Sequence, residues 1–292
     1  MTGSAASFHP APARPGFALP AGACDTHVHV FGPTAAFPYA DDAPFRPHEA
    51  PKEKLFAMHA TLGIERCVIV QSTCHGFDNR VVADAMRARS GAYLGVALAP
   101  ASADAATLKD LAEQGFRGVR FNFMRHLGGG AKIEDVIALT RRLEPLGLHL
   151  QVHFESSLIH ELAPWFRKSA VPVVIDHMAR IDAARGLEQP DFRALLDLMQ
   201  DGRFLVKVSG SERCSRLGPP YGDAAPFARK LVAEFGDRTL WGTDWPHPNL
   251  DHVPDDGRLA DLLLQIAPDE AQRKALLVEN PQRFYRFGPT PP

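Results

Sequence analysis

The chain lacks any excess of basic charge: 32 Lys+Arg stand against 34 Asp+Glu in 292 residues, a formal net charge of −2. A surface without surplus cations cannot neutralise a run of phosphates or hold an anionic bilayer, so nucleic acid and membrane are excluded as expected partners. Cysteine is scarce. Cys24, Cys67, Cys74 and Cys214 are scattered without CxxC spacing, which argues against a disulfide framework and suits a reducing cytoplasm. No apolar run approaches the ~20 residues that span a bilayer. The start of the chain has no basic segment leading into an apolar stretch, and Pro10, Pro12, Pro15 and Pro20 would break a helix there. Residues 1–22 therefore read as an extended arm. The G-x-S-x-G elbow is missing, and Gly128-Gly129-Gly130 is neither a Walker loop nor a dinucleotide fingerprint. Serine esterase, kinase and dehydrogenase chemistries lose their signatures.

What is present is a 45% hydrophobic, 23% charged composition able to bury a large core. Short β-branched runs alternate with longer amphipathic segments, the pattern of repeated βα units. Eight strands are expected at 24–30, 67–71, 93–99, 118–123, 149–154, 173–177, 204–209 and 239–243. Eight units with short connections and no compositional break predict one (β/α)8 TIM barrel over 23–287, with a tail at 288–292 and a doubly wound sheet as the competing architecture. Residues 31–50, 128–130 and 210–223 depart from the minimal repeat. Each follows an expected strand, so these loops should cover the C-terminal face, where barrels carry active sites.

The chemistry gathers at the strand ends. In Asp25-Thr26-His27-Val28-His29 the two-residue period of a strand turns both histidines to one face. His153 closes the fifth strand, His177 the sixth, and Asp244 follows the eighth in Trp241-Gly242-Thr243-Asp244-Trp245-Pro246-His247-Pro248. Four strand ends thus bring an imidazole or a carboxylate to one rim, although Asp and His are poor strand residues. By the same alternation Asp176 falls on the face opposite His177 and is expected to anchor a helix or loop. Cys74 and His75, adjacent in an extended segment, point apart and make a poor nucleophile pair.

With His-x-His after strand 1, histidines after strands 5 and 6 and an Asp after strand 8, the chain resembles the amidohydrolase superfamily. Within it the segments DTHVHVFGP, VIVQSTCHGFDN, GVRFNF, VVIDHMAR, GPPYGDAAPFA, WGTDWPHPN and VPDDGRL are similar to the 2-pyrone-4,6-dicarboxylate lactonases. The resemblance implies hydrolysis of 2-pyrone-4,6-dicarboxylate to 4-oxalomesaconate in bacterial breakdown of lignin-derived aromatics such as protocatechuate. A small anionic lactone is then the expected partner, and a homodimer is compatible with the sequence.

A lactone needs an activated water, a polarised carbonyl and a pocket for its other charges. Asp244 is the expected general base, with His27, His29 and His177 around the carbonyl oxygen. Arg120 lies on the inward period of the fourth strand, where a ligand carboxylate would compensate it. Arg180 and Arg213 match the family's substrate-binding arginines, and Thr73 stands where the family has a serine. The chain departs from the metal-independent lactonases in having His126 at an arginine position and His153 at a tyrosine position. His153 opens an alternative: His27, His29, His153 and Asp244 would form a mononuclear Zn²⁺ site. That reading implies a zinc-dependent hydrolase of a related lactone such as 4-sulfomuconolactone, or a decarboxylase on the same barrel; the first expectation is that no cofactor is required. No lysine on the fourth strand offers a carbamate bridge. A non-catalytic binder of small dicarboxylates would keep the arginines but have no use for Asp244.

Overall fold

The computed structural model describes residues 7–124 and 130–288. Its sheet holds eight parallel strands in chain order: β1 (Cys24–Val28), β2 (Arg66–Val70), β3 (Tyr93–Ala97), β4 (Phe116–Asn122), β5 (His149–His153), β6 (Val173–Ile175), β7 (Phe204–Lys207) and β8 (Thr239–Leu240). After Leu240 the chain runs beside β1. There Thr26 N donates to Trp241 O (2.9 Å), Asp244 N to His27 O (2.8 Å) and His29 N to Trp245 O (2.7 Å). These bonds complete a (β/α)8 TIM barrel, and the doubly wound alternative is set aside. β8 is shorter than its apolar run suggests because its last residues bond to β1 without a regular ladder.

Between the strands lie α1 (Lys52–Leu62), α2 (Arg80–Ala88), α3 (Ala105–Glu113), α4 (Ile133–Leu143), α5 (Ile159–Phe166), α6 (Pro190–Met199), α7 (Ser211–Cys214) and α8 (Ala225–Phe235). The chain then adds α9 (Asp256–Asp261), α10 (Leu263–Ile266), α11 (Glu270–Lys274) and α12 (Asn280–Tyr285). Sequence accounts for them locally. The α2 helix buries Val81, Val82, Ala85 and Met86 along one side, and α3 starts at Asp104, whose side chain accepts from Thr107 N at 2.8 Å, a cap worth ~1 kcal/mol. Among the described residues no helix is long and apolar enough to cross a membrane.

Both faces of the strands are buried. Val28, Ile69, Val119, Phe121, Val152 and Ile175 belong to the core shared with the helices. Inside the barrel the lower half is apolar, with Val68, Leu94, Val96, Val174, Leu205 and Leu240 sealed by Tyr285 and Phe287 from the chain's end. The upper half carries buried Arg120, Gln151, Asp176 and Lys207. The excursion at 31–50 is pinned at its ends by the bridge between Phe31 and Ala50. The arm packs behind the loop after β8: the Phe8 and Trp245 rings lie 5.1 Å apart and Ala13 N donates to the Asp255 carboxylate at 3.0 Å.

Candidate active site

The seam between β8 and β1 builds the centre of the site. At Gly242 an added Cβ would lie 2.5 Å from His27 N, so only glycine lets the two strand ends meet. Asp25 braces the junction from the other face: its Oδ1 accepts from His27 N (3.0 Å) and Thr243 N (3.1 Å), and its Oδ2 from the Thr243 hydroxyl (2.6 Å). One buried carboxylate thereby fixes the backbone beside both His27 and Asp244.

On the inner side, three imidazoles converge on one oxygen. Asp244 Oδ1 lies 3.7 Å from His27 Nε2, 3.6 Å from His29 Nε2 and 3.5 Å from His177 Nε2. Each ring is held from behind at Nδ1, by Lys207 Nζ (3.2 Å), by Val70 O (2.7 Å) and by the Ser209 hydroxyl (3.0 Å) respectively. Burial, then the Lys207 charge, pushes His27 down to about 3; burial also holds His177 well below the usual imidazole range. Burial works to raise the Asp244 carboxyl, but the Arg213 guanidinium bonded to its Oδ2 and the His177 ring outweigh it and hold it well below the usual carboxylate range. Asp244 is therefore ionised beside neutral His27 and His177.

The anion side is built by a left-handed turn. After Ile175 the chain leaves β6, and His177, Met178, Ala179 and Arg180 have φ of 49°, 52°, 55° and 54°. For L-residues this costs ~1–2 kcal/mol each, and the neighbours hold it in place. Met178 and Ala179 are buried, and Gly210, where a Cβ would lie 2.6 Å from His177 Cβ, leaves room for the ring. The turn sends both His177 and Arg180 into a cleft also lined by Thr73, Arg120, His153 and Arg213. It also overturns the expectation for Asp176. That residue keeps the inward alternation set by Val174, and the turn then swings His177 back to the same side.

Asp176 in turn changes the reading of Arg120. Its Oδ2 accepts from Arg120 Nε (2.8 Å) and Gln151 Nε2 (3.1 Å), so Arg120 is compensated by a carboxylate of the chain itself. Arg213 is likewise paired with Asp244. Arg180 has no hydrogen bond or ion pair among the described residues, and both ring nitrogens of buried His153 lack a partner. Burial, then the charge of Arg120, keeps His153 well below the usual imidazole range. His126 lies outside the described residues. Cys74 is buried, and burial pushes its thiol up to about 12, which removes it as a nucleophile.

The Amidohydrolase family profile matches residues 24–287. The chain belongs to the amidohydrolase family. This amidohydrolase is 43% identical over 284 residues to a 2-pyrone-4,6-dicarboxylate hydrolase of Comamonas testosteroni, covering 94% of this chain and 93% of that protein. It is 39% identical to a 4-sulfomuconolactone hydrolase of Hydrogenophaga intermedia, over 92% and 90% of the two chains. A crystal structure of an Agrobacterium tumefaciens protein superimposes with a TM-score of 0.84 at 30% identity, over 94% and 99% of the chains.

Amidohydrolases raise the question of a metal. Donor atoms of His27, His177 and Asp244 lie within 4.8 Å of one another, and His27 Nε2 and Asp244 Oδ1 lack partners. This is a different set from the one expected: His29 is not in the group, and His177 takes the place of His153, which stands on β5 with its ring centre 5.6 Å from that of His177. The positions suit a divalent ion. The charges around them do not, since Arg213 already sits on Asp244 and the Lys207 ammonium touches His27. Sequence reasoning passed over Lys207, although a lysine inside the apolar run Phe204-Leu205-Val206-Lys207-Val208 was its visible signal. It also gave no role to Asp25, Gln151 or His247.

Proposed function

We propose that this amidohydrolase opens a small anionic lactone, with 2-pyrone-4,6-dicarboxylate as the best candidate and 4-oxalomesaconate as its product. The observation that carries the reading is Arg180: a guanidinium without a hydrogen-bond or ion-pair partner among the described residues, beside His153, likewise unpartnered among them, in the cleft that holds an ionised carboxylate ringed by imidazoles. Such a cleft asks for an anion with a reactive carbonyl. A substrate carboxylate would take Arg180 in a charge-assisted contact, with Thr73 and His153 as further hydrogen-bond partners. Asp244 would accept a proton as water attacks the lactone carbonyl. The His27, His29 and His177 cluster, with Arg213, would steady the charge on the carbonyl oxygen. Collapse then breaks the ring ester bond, and the ring oxygen leaves as an enolate that is protonated to the open-chain acid. The chain's own cations supply positive charge here, so this reading requires no resident metal.

A second reading, a sulfonated lactone, is favoured by the similarity to 4-sulfomuconolactone hydrolase, since a sulfonate would suit Arg180 equally. A panel of both lactones and the dimethyl ester of the pyrone decides between them. Arg180→Met should raise KM for the preferred dianion about 10–100-fold, the loss of one charged hydrogen-bond partner, and leave the ester unchanged. Turnover of none of these compounds by the wild type would overturn the proposal.

A further inference from the structure

The ammonium of Lys207 is fully enclosed, and its three N–H bonds have three acceptors: Thr26 O at 2.8 Å, Gln151 Oε1 at 3.0 Å and His27 Nδ1 at 3.2 Å. An ammonium only donates, so the nitrogen it meets on the imidazole must be the one with the lone pair. The competing arrangement puts the proton on Nδ1 and directs it to Asp176. Asp176 Oδ1 is 3.2 Å from that nitrogen and 3.6 Å from the Lys207 ammonium, yet it forms no hydrogen bond with either. The other Asp176 oxygen is taken by Arg120 and Gln151. Gln151 is itself oriented by the network, its oxygen toward Lys207 and its nitrogen toward Asp176, so the chain of donors and acceptors runs in one sense.

We infer that Lys207 is a positioning residue that fixes His27 as the Nε2–H tautomer, aiming an N–H bond into the site. His27 Nε2 faces Asp244 Oδ1 at 3.7 Å without a partner of its own. A nitrogen that bears a proton can donate to the carbonyl oxygen of a bound lactone and cannot ligate a metal. His29 is set the other way, because its Nδ1 must donate to the Val70 carbonyl at 2.7 Å. The two histidines of the His-x-His pair thus meet opposite partners at Nδ1, a donor beneath His27 and an acceptor behind His29, and the difference is imposed from beneath by one lysine on β7. The expected effect on turnover rests on the lactonase reading above; the tautomer itself does not.

The test is ¹⁵N NMR of the full chain labelled at histidine, whose ring resonances report which nitrogen carries the proton. His27 is assigned by the signals lost in His27→Asn. The expected result is Nε2–H for His27 in the resting wild type. In Lys207→Met the proton should move to Nδ1 toward Asp176, kcat should fall ~10²-fold, as on loss of one oxyanion donor, and KM should stay within about threefold, a donor felt mainly in the transition state. The variant should also gain about one Zn²⁺ per chain in equilibrium dialysis, because the His27 nitrogen that faces Asp244 would then offer a lone pair. If Lys207→Met does not fold, Lys207→Gln, one bond too short to reach His27, should show the same inversion. Nδ1–H on His27 in the wild type overturns the inference whatever the variants do, and so does a folded Lys207 variant that keeps Nε2–H and wild-type kcat. Absence of lactone turnover in a wild type with Nε2–H would instead overturn the lactonase reading.

Discussion

The two halves of the barrel interior follow the same strand alternation and reach opposite solutions. Below, Leu94, Val96, Val174 and Leu240 fill the space with hydrocarbon capped by Tyr285, and stability there follows from area and volume. Above, Arg120, Gln151, Asp176 and Lys207 occupy equivalent inward positions, and each is held by the others. A buried ionic layer stabilises less than hydrocarbon of the same volume and is costly to break. It does allow pKa values, tautomers and ring orientations to be set directly under the reacting atoms, which an apolar floor could not do.

The sharpest way to break this comparison is at the rim. Asp244→Asn keeps the side-chain volume and removes the proposed proton acceptor, so kcat should fall ~10²–10⁴-fold; hydrolysis within threefold of wild type would end the assignment. One layer down, Asp176→Asn leaves Arg120 and Lys207 facing each other without their carboxylate, and urea unfolding should register a loss of ~3–5 kcal/mol together with impaired turnover. Leu94→Ala in the lower half should cost ~2–4 kcal/mol by cavity formation, yet kcat per folded molecule should not change. If Leu94→Ala damages kcat as much as Asp176→Asn does, the two halves are not functionally distinct.

The smallest effects are those of pH, and here two histidines act with opposite sign. Burial, then the Lys207 charge, pushes His149 down to about 3. Its unfolded value is ~6.5, so as pH falls below that range the unfolded chain takes up a proton that the fold refuses, and stability declines. Burial opposes protonation of His247, but Asp256 at 2.9 Å and Glu212 hold it up to about 10. Its contribution is complete below ~6.5 and is lost as pH rises through its folded value. The urea midpoint should therefore peak near neutrality, with His149→Gln flattening the acid side and His247→Gln the alkaline side. A midpoint constant from pH ~4.5 to ~9 would contradict both values.

Much of this was legible in the chain because it depends on short-range periodicity. Alternating βα runs predict the barrel, period-2 spacing brings His27 and His29 to one face, and strand-end positions mark His153, His177 and Asp244. The same period placed Asp176 on the wrong face, since it assumed that the strand continued through His177. The chain instead enters four residues of left-handed backbone, a conformation that no local preference of His, Met, Ala or Arg favours. It depends on the space left by Gly210, 33 residues further along the sequence. Arg120 looked in need of a ligand because its partner comes from a different strand, and Lys207 was silent because three of its contacts come from β1 and β5. Residue types and their spacing determined which groups reach the rim. Which of them are paired, which remain free for a substrate, and where the protons sit were decided only by tertiary contact, because hydrogen bonds and charges act through distances that linear order does not encode.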